Sequence, residues 1–425
     1  MQDSKAYLVL DRRQLLVRTG AALAAGGLGV AFSDLDEVMA APDADAALDW
    51  AAVRRQFRLA PGWTHMGGLL LASHPAPVRR AIERHRSGLD ANPVHYLHER
   101  GPALEAAVLR AAGAYLRARP TDIALTDSTT MGLGLLYNGL DLRASDEVLT
   151  TTHDFFATHE SLRLKAARSG ASVRQVRLYR EARRATQDEV VSSLVGALGP
   201  RTRVIALTWV HSSTGVKLPL QRIARALGKR RDDVLICVDG VHGVGVENET
   251  VGSLACDFLV SGCHKWLFGP RGTGFVWGRT TAWQAVRATI PSFSGTATAG
   301  AEMTPGGFHS FEHRWALSEA FHLHLRIGKA RVERRIHALN TRLKAGLASM
   351  SHVTLVTPRS AALSAGLVCF SVDRSSPGAV VEALRRRRII ATVTPYDPPY
   401  ARLAPGLLNT PADVDRVLRA IRSLR

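Results

Sequence analysis

The sequence predicts an α/β fold, with a mostly parallel central sheet, helices on both faces and a smaller C-terminal α+β domain. Two observations support this. Short apolar runs bounded by turn residues recur along the chain, as in strands buried on both faces, and helical stretches separate most of them. The clearest runs are 147–150, 204–208, 235–239 and 258–261. Ligands of such sheets bind at the carboxyl ends of the strands, where we expect the site residues.

The predicted helices surround these strands. One helix begins near Pro77, since proline is favoured in the first turn. Residues 103–116 and 220–227 also have helical patterns. A single long helix is predicted over 314–347, and the strand, helix and strand patterns after it indicate the smaller domain.

The composition excludes several classes of function. The chain has 425 residues, of which 46% are hydrophobic and 22% charged, so it is not a disordered chain. The net charge is +18, but the arginines are scattered and the run 385–388 fits an exposed helix face, so no nucleic-acid partner is expected. The four cysteines lack metal-ligand spacing, and neither a metal site nor a disulfide framework is predicted.

The first 40 residues differ from the rest. Arg12–Arg13 precede an apolar, glycine-rich run over 21–32, and small residues follow at 40–41. The run is too short to span a membrane, and the pattern is similar to a twin-arginine export signal; an amphipathic helix that stays attached is the alternative. Export of the folded protein by the twin-arginine machinery would place it in the periplasm or outside the cell. The predicted divisions are a signal peptide over 1–40, a large domain with its N-terminal arm over 41–310 and a small domain over 311–425.

A lysine at a strand end is the strongest candidate for a catalytic group. Lys265 follows the run 258–261 and precedes a turn rich in glycine and proline, which would hold it in place. A desolvated lysine has a lowered pKa and can form a Schiff base with an aldehyde. Asp239 ends another strand and could keep a pyridine nitrogen protonated, and His242 could donate to a phenolic oxygen. Singly each fits an ordinary surface or strand-end residue, but the combination indicates a site.

The segment 126–132 predicts a phosphate site. Ser128, Thr129 and Thr130 open a predicted helix, and hydroxyl groups and free N–H groups at a helix N-terminus bind phosphate. The simpler interpretation is that Ser128 only caps the helix.

These residues resemble the fold-type I pyridoxal 5'-phosphate enzymes of the aminotransferase class V family, and most of all its isopenicillin N epimerase-like branch. The most specific similarities are the segments 211–219, 238–245 and 264–266, and the resemblance extends from about Gly67 to the C-terminus. It implies a homodimer with pyridoxal 5'-phosphate bound to Lys265.

The resemblance also implies the remaining contacts. Arg402 matches the family arginine that binds a substrate carboxylate through two parallel hydrogen bonds. The implied cofactor contacts are Asp239 at the pyridine nitrogen, His242 near the ring oxygen, His264, Ser128, Thr129 and Thr130 at the phosphate, and Phe155, or alternatively Phe156, stacked on the ring.

Three departures from the family pattern bear on function. After a Phe-Glu pair the family often has Gly-Thr, which contacts the partner subunit's phosphate. This chain has Phe311-Glu312-His313-Arg314-Trp315 instead, so Arg314 either replaces that contact or reads the substrate. Position 262 is glycine instead of serine or asparagine, which leaves only Ser261 nearby. Cys369 lies in an apolar strand pattern and Cys263 is confined beside the lysine, so cysteine desulfurase activity is not expected.

The sequence therefore predicts an exported enzyme that transforms an amino acid, or the amino-acid moiety of a peptide, through an external aldimine. Free amino acids and keto acids are scarce outside the cytoplasm, which narrows the substrate. In its architecture the chain resembles the periplasmic enzymes that tailor pyoverdine-type siderophore peptides, and this resemblance makes such tailoring the favoured case. The alternatives are an epimerase or aminotransferase of other secondary metabolism, and a non-catalytic relative that binds an anion or a nucleic acid. Transamination, epimerisation, decarboxylation and oxidation all stay open.

Overall fold

The computed structural model describes residues 49–424. The predicted signal peptide lies outside the described residues. Within this range no helix combines the length and the hydropathy that a membrane span requires.

An N-terminal arm and two long helices precede the central sheet. Pro77 lies in the first turn of its helix, as the sequence predicts. The helix expected over 103–116 starts ten residues earlier and contains Pro102. The elements of this part are α1 (Trp50–Arg55), β1 (Thr64–His65), α2 (Ala76–Ala91) and α3 (Pro93–Leu116).

A seven-stranded sheet forms the centre of the protein. Its order is β2-β8-β7-β6-β5-β3-β4, and β8 runs opposite to the other six strands, which share one direction. The predicted mostly parallel sheet is therefore confirmed. The strands are β2 (Ile123–Thr126), β3 (Glu147–Thr151), β4 (Ser172–Val176), β5 (Thr202–Thr208), β6 (Leu235–Asp239), β7 (Phe258–Gly262) and β8 (Gly274–Gly278).

Both faces of this sheet are buried. Along β5, Ile205 and Leu207 belong to one apolar cluster, and Val204 and Ala206 belong to another. This alternation explains the continuous apolar runs of the sequence, because each face packs against helices. The helices between the strands are α4 (Thr129–Gly139), α5 (Phe156–Ser169), α6 (Gln187–Gly196), α7 (Leu220–Ala226) and α8 (Val251–Leu254).

The predicted single helix over 314–347 is wrong. The structure has α9 (Ala299–Met303), then α10 (Phe311–Ile327) and α11 (Lys329–Ala348), and the last two are separated by Gly328. Gly328 has a φ of 88°, a left-handed conformation that glycine adopts without steric cost and that ends the first helix.

A second, antiparallel sheet follows, in the order β12-β13-β10-β9. Its core also contains Met66 of the arm, and β1 pairs in parallel with β11. The packing changes within α11, where Ile336 belongs to the first core and Leu339 to the second. The elements are β9 (Val353–Leu355), β10 (Val368–Val372), α12 (Pro377–Arg386), β11 (Ile389–Ile390), β12 (Thr392–Val393), β13 (Ala401–Leu403) and α13 (Pro411–Arg422).

Candidate active site

The carboxyl ends of neighbouring strands bring the predicted polar groups to one edge of the sheet. Asp239 is the last residue of β6, and Lys265 follows the end of β7, its parallel neighbour. Parallel strands end at the same edge, so residues 26 positions apart in the sequence become neighbours.

Asp239 is a buried carboxylate with little local compensation. It is 2% exposed, and Oδ1 accepts a hydrogen bond from the backbone N–H of Val241 at 3.0 Å. Burial raises the pKa of Asp239 to about 6, against the opposing effects of the Val241 hydrogen bond and the Lys265 charge. A cationic ring nitrogen at this carboxylate would restore the balance of charge.

Lys265 has the properties of a reactive amine. Burial lowers its pKa to about 8; the Asp239 charge raises it, and the Arg402 charge lowers it further. A lowered pKa gives more of the neutral, nucleophilic amine near neutral pH.

His242 is held as a neutral imidazole. Its Nδ1 accepts a hydrogen bond from the indole N–H of Trp266 at 3.3 Å. Burial, followed by the charges of Lys265 and Arg402, moves the pKa of His242 well below its usual value. The ring proton therefore lies on Nε2, which can donate to an oxygen in the site.

The predicted phosphate segment opens α4. The Ser128 side chain accepts from the backbone N–H of Met131 at 3.1 Å, so Ser128 is the N-cap. Thr129 Oγ1 accepts from the backbone N–H of Gly262 at 2.8 Å and ties α4 to β7, whereas Thr130 is exposed. Capping and anion binding are compatible roles, so the phosphate site at this helix N-terminus stays a prediction.

The close approach of α4 explains the glycine at position 262. A Cβ there would lie 3.0 Å from both Thr129 Oγ1 and His264 Cε1. The nearby Ser261 is fully buried and donates to the carbonyl oxygen of Gly262, so its hydroxyl is turned away from this role. The Nδ1 atom of His264 is buried and has no partner in the described part of the chain.

The two aromatic candidates differ in environment. Phe155 directly precedes α5 and packs against the core, with its ring 6.4 Å from that of Tyr396. Phe156 is 65% exposed. Stacking of Phe155 on the cofactor stays a prediction, and its partly enclosed ring is compatible with that role.

Arg402 is a buried cation, with 4% of its surface exposed. Its Nε donates to Thr392 Oγ1 at 3.0 Å and its Nη1 to the carbonyl oxygen of Ser212 at 2.8 Å. Within residues 49–424 no carboxylate forms an ion pair with it. Burying an unpaired charge is costly, so the geometry favours an anionic ligand at this position.

Two groups near Arg402 were not found from the sequence. Ser212 Oγ and the hydroxyl of Tyr396 are 2.6 Å apart, and Tyr396 is the neighbour of Phe155. Ser212 belongs to a segment that the family resemblance highlighted, whereas Tyr396 had no sequence signal.

Three further strand ends contribute an aromatic cluster that was also missed. His153 stacks on Tyr179 with ring centroids 4.0 Å apart, and the Tyr179 hydroxyl lies 3.0 Å from His211 Nδ1. These residues follow β3, β4 and β5, so they extend the polar edge away from Asp239.

Arg314 lies apart from Arg402. Its Nη2 pairs with Glu105 at 2.8 Å, and it lines a cavity of about 230 Å³ together with Thr126 and Asp127. Glu105 compensates the charge of Arg314, so Arg402 is the better candidate for binding a substrate carboxylate. Arg314 lies beside the phosphate segment.

The described residues hold one cluster with metal-ligand side chains, formed by Glu247, Glu333 and His337. Glu247 already accepts from Lys217 Nζ at 2.6 Å and pairs with His337 Nε2 at 2.8 Å. The cluster is an ion-pair network that joins α11 to the segment after β6.

All four cysteines of the chain are buried. Cys369 lies within β10, and burial raises the pKa of its thiol to about 12; burial also raises the pKa of Cys263. A buried thiol with a raised pKa is a poor nucleophile, which agrees with the expectation from the sequence.

Comparison with known families decides the classification. The family described as aminotransferase class-V matches residues 72–394, about three quarters of the chain. The chain belongs to the aminotransferase class V family. The family assignment predicted from the sequence is thereby confirmed. The predicted pyridoxal 5'-phosphate cofactor and the prediction that the protein is an enzyme are confirmed as well.

Curated relatives of this class V enzyme include isopenicillin N epimerases. Those of Streptomyces clavuligerus and Amycolatopsis lactamdurans are 28% and 27% identical, each over 89% of this chain and 99% of the relative. A probable cysteine desulfurase of Pseudomonas aeruginosa is 27% identical over 86% of this chain and 94% of its own length.

Solved structures share the fold. A variant of the protein C-DES, with glycine covalently linked to its PLP cofactor, has a TM-score of 0.81 and 23% identity over 87% of this chain and 99% of its own. A cysteine desulfurase from Thermococcus onnurineus has a TM-score of 0.78 and 20% identity over 88% and 97% of the two chains.

The residues of this class V enzyme fit its cofactor. The unpartnered Nδ1 of His264 lies beside the open N-terminus of α4, which suits a phosphate. Asp239 suits the ring nitrogen, because its buried carboxylate lacks a sufficient counter-charge. His242 and Lys265 complete the set with a hydrogen-bond donor and a reactive amine.

Proposed function

We propose that this class V enzyme is exported and acts at the α-carbon of an amino acid, or of an amino-acid moiety within a peptide. Tailoring of a pyoverdine-type siderophore peptide is the specific case that we favour. The observation that supports an amino-acid substrate is Arg402, a buried guanidinium whose charge acts on Lys265 and which lacks a carboxylate partner among the described residues. An α-carboxylate would supply that partner.

Each of the site's side chains has a separate role. Arg402, held at Nε and Nη1 by Thr392 and Ser212, orients the substrate through its carboxylate. When bound, the cofactor supplies an electron-withdrawing ring to the amino group of the substrate. Asp239 holds a proton at the ring nitrogen, and Lys265 takes a proton from the α-carbon or returns one to it.

The cysteines argue against a desulfurase reaction, although desulfurases occur among the relatives. A desulfurase needs a reactive thiol, and Cys369 is buried with a raised pKa. The two isopenicillin N epimerases, which match almost their full length, support an epimerase as the second candidate.

Export is supported by Arg12–Arg13, the apolar run after them and the small residues at 40–41. A cofactor enzyme of this size suits a pathway that transports folded proteins. Replacing both arginines by lysine should retain the cofactor-loaded protein in the cytoplasm, as cell fractionation would show. Unchanged export of that variant would contradict the twin-arginine assignment.

The proposal as an enzyme is tested with the cofactor-loaded protein. Borohydride should fix the cofactor to Lys265, which peptide mass mapping detects, and α-amino acids or peptides should change its visible absorption spectrum. Lys265→Ala should keep the circular dichroism spectrum but lose turnover. A tag on another lysine would contradict the assignment of Lys265. No response to any amino acid or peptide tested would contradict the proposed substrate class.

A further inference from the structure

A second, smaller cavity lies beside Lys265. It has a volume of about 100 Å³ and is formed by four parts of the chain: the arm before α2, the turn after β7, Ile390 of β11 and the segment after β13. Among the predicted cofactor contacts only Lys265 lines it. The cavity therefore adjoins the reacting centre without overlapping the cradle at α4 or the carboxylate of Asp239.

The walls of this cavity are mostly apolar. Large apolar side chains come from all four parts of the chain. They include Leu59, Leu71, Phe268, Ile390 and Leu407. Among the described residues, Lys265 and His65 are the only acidic or basic residues that line it.

The wall residues Asn409 and His65 differ in whether their side-chain polar atoms have hydrogen-bond partners. Asn409 is used by the backbone, because its Oδ1 accepts from Gly406 N and its Nδ2 donates to the carbonyl oxygen of His65. The His65 Nε2 atom is buried and has no partner among the described residues. Burial, and then the Arg54 charge, lowers the pKa of His65, so the ring is neutral at pH 7.

The position of the cavity indicates which part of the substrate would lie in it. A substrate whose α-carbon lies against Lys265 and whose carboxylate lies against Arg402 must direct its side chain elsewhere. Arg402 is two residues before Ala404, the first wall residue after β13, so the carboxylate site and the cavity are adjacent.

We propose that this cavity receives the side chain of the substrate amino acid and selects a short, uncharged aliphatic group. The inference rests on the proposed function and adds the substrate class to it. An engineered apolar cavity of about 150 Å³ holds benzene, so this smaller one suits a chain of about three to five carbons. Charged side chains are excluded because the walls cannot replace their hydration.

The first experiment measures dissociation constants from the spectral change of the cofactor-loaded enzyme. The probes are L-alanine, L-2-aminobutyrate, L-norvaline and L-leucine, with L-aspartate and L-lysine as charged probes. Each added methylene should tighten binding about fourfold up to the size of the cavity. Aspartate and lysine should bind more weakly than alanine. Equal affinity along the aliphatic series, or tightest binding of a charged probe, would overturn the inference.

A matched pair of variants tests the location. A Cβ at Gly68, a wall residue, meets nothing within 4 Å, so Gly68→Val can reduce the cavity without a backbone clash. It should weaken leucine binding at least tenfold and alanine binding less than twofold. Gly378→Val is the control, because Gly378 is exposed on α12 and equally unobstructed. Equal effects of both variants, or none of Gly68→Val, would overturn the location.

An enlarging variant covers the case in which Gly68→Val does not fold. Leu71 is half-exposed, so Leu71→Ala should fold and should shift the preference to a longer aliphatic chain. An unchanged preference would count against the cavity. The two failures are distinguishable. If the proposed function is wrong, the loaded enzyme shows no spectral response to any of these probes, whereas if this inference is wrong, it responds to them without aliphatic selectivity.

Discussion

At the scale of single residues, burial sets the chemistry of the site. Burial favours the uncharged form of both Lys265 and Asp239. It lowers the pKa of Lys265 to about 8 and raises the pKa of Asp239 to about 6. Each charge partly stabilises the other, but desolvation is the larger effect for both. The Asp239 charge therefore only partly offsets the burial of Lys265, which leaves the lysine reactive.

The pH dependence of cofactor loading follows from this pKa. Only the neutral amine adds to an aldehyde, so the loading rate of the apoprotein should rise with pH and level off above about 8. An ordinary lysine would continue to gain reactivity up to its usual pKa of 10.5. Asp239→Asn removes the charge that raises the pKa of Lys265, so the inflection should move to lower pH. Rapid-mixing absorbance at each pH measures both; an upward shift in Asp239→Asn would contradict this account.

Arg402 gives the second prediction at this scale. Losing a charge-assisted bidentate contact should cost about 2–4 kcal/mol, or roughly 30- to 1000-fold in kcat/KM, in Arg402→Ala. Arg402→Lys should rescue little, because an ammonium cannot form two parallel hydrogen bonds. Cofactor occupancy at equilibrium should stay normal, as measured by absorbance. The rate of loading near pH 7 should fall in Arg402→Ala, because the charge of Arg402 lowers the pKa of Lys265. If both variants keep wild-type kcat/KM, the carboxylate is bound elsewhere and Arg314 is the next candidate.

At the scale of elements, the contact between α4 and β7 organises the phosphate site. Thr129→Val removes the acceptor of the buried Gly262 N–H, which should cost about 1–3 kcal/mol. We expect a lower melting temperature and a weaker cofactor affinity, measured by thermal unfolding and by equilibrium dialysis. Thr129→Ser keeps the hydroxyl and is the control. Equal losses in both variants would show that the methyl group, not the hydrogen bond, matters here.

The elements also show what the sequence could predict. Lys265 and Asp239 were found because strand ends are visible as apolar runs that stop at a polar residue. The antiparallel direction of β8 and the break at Gly328 were not predicted, since pairing direction and backbone conformation leave no periodic signal. The contact of Ser212 with Tyr396 joins two loops that are distant in sequence, so only the folded chain brings the two hydroxyl groups together.

At the scale of the whole molecule, the arm unites the two cores. β1 pairs with β11 beside the second core, while Leu69 and Ala72 of the same segment pack in the first. The cavity beside Lys265 lies where these parts meet, so its shape depends on the relative position of the two cores.

The last prediction concerns the homodimer that the family resemblance implies. Phe293 and Phe308 are 59% and 83% exposed, and Phe308 lies on the cavity that contains Arg314. Neighbouring exposed aromatic rings are typical of a protein interface, so we expect both to be buried against a second subunit.

Phe308→Asp should therefore dissociate the dimer, because it would bury a carboxylate without a partner. Light scattering should then give the mass of one chain. Cofactor occupancy should fall because Phe308 shares its cavity with Thr126 and Asp127 of the phosphate segment. Leu164→Asp is the control, since Leu164 is an exposed apolar residue on α5, and it should leave the mass unchanged. A wild-type protein that is monomeric with full cofactor occupancy would contradict both the dimer and the dependence of cofactor binding on it.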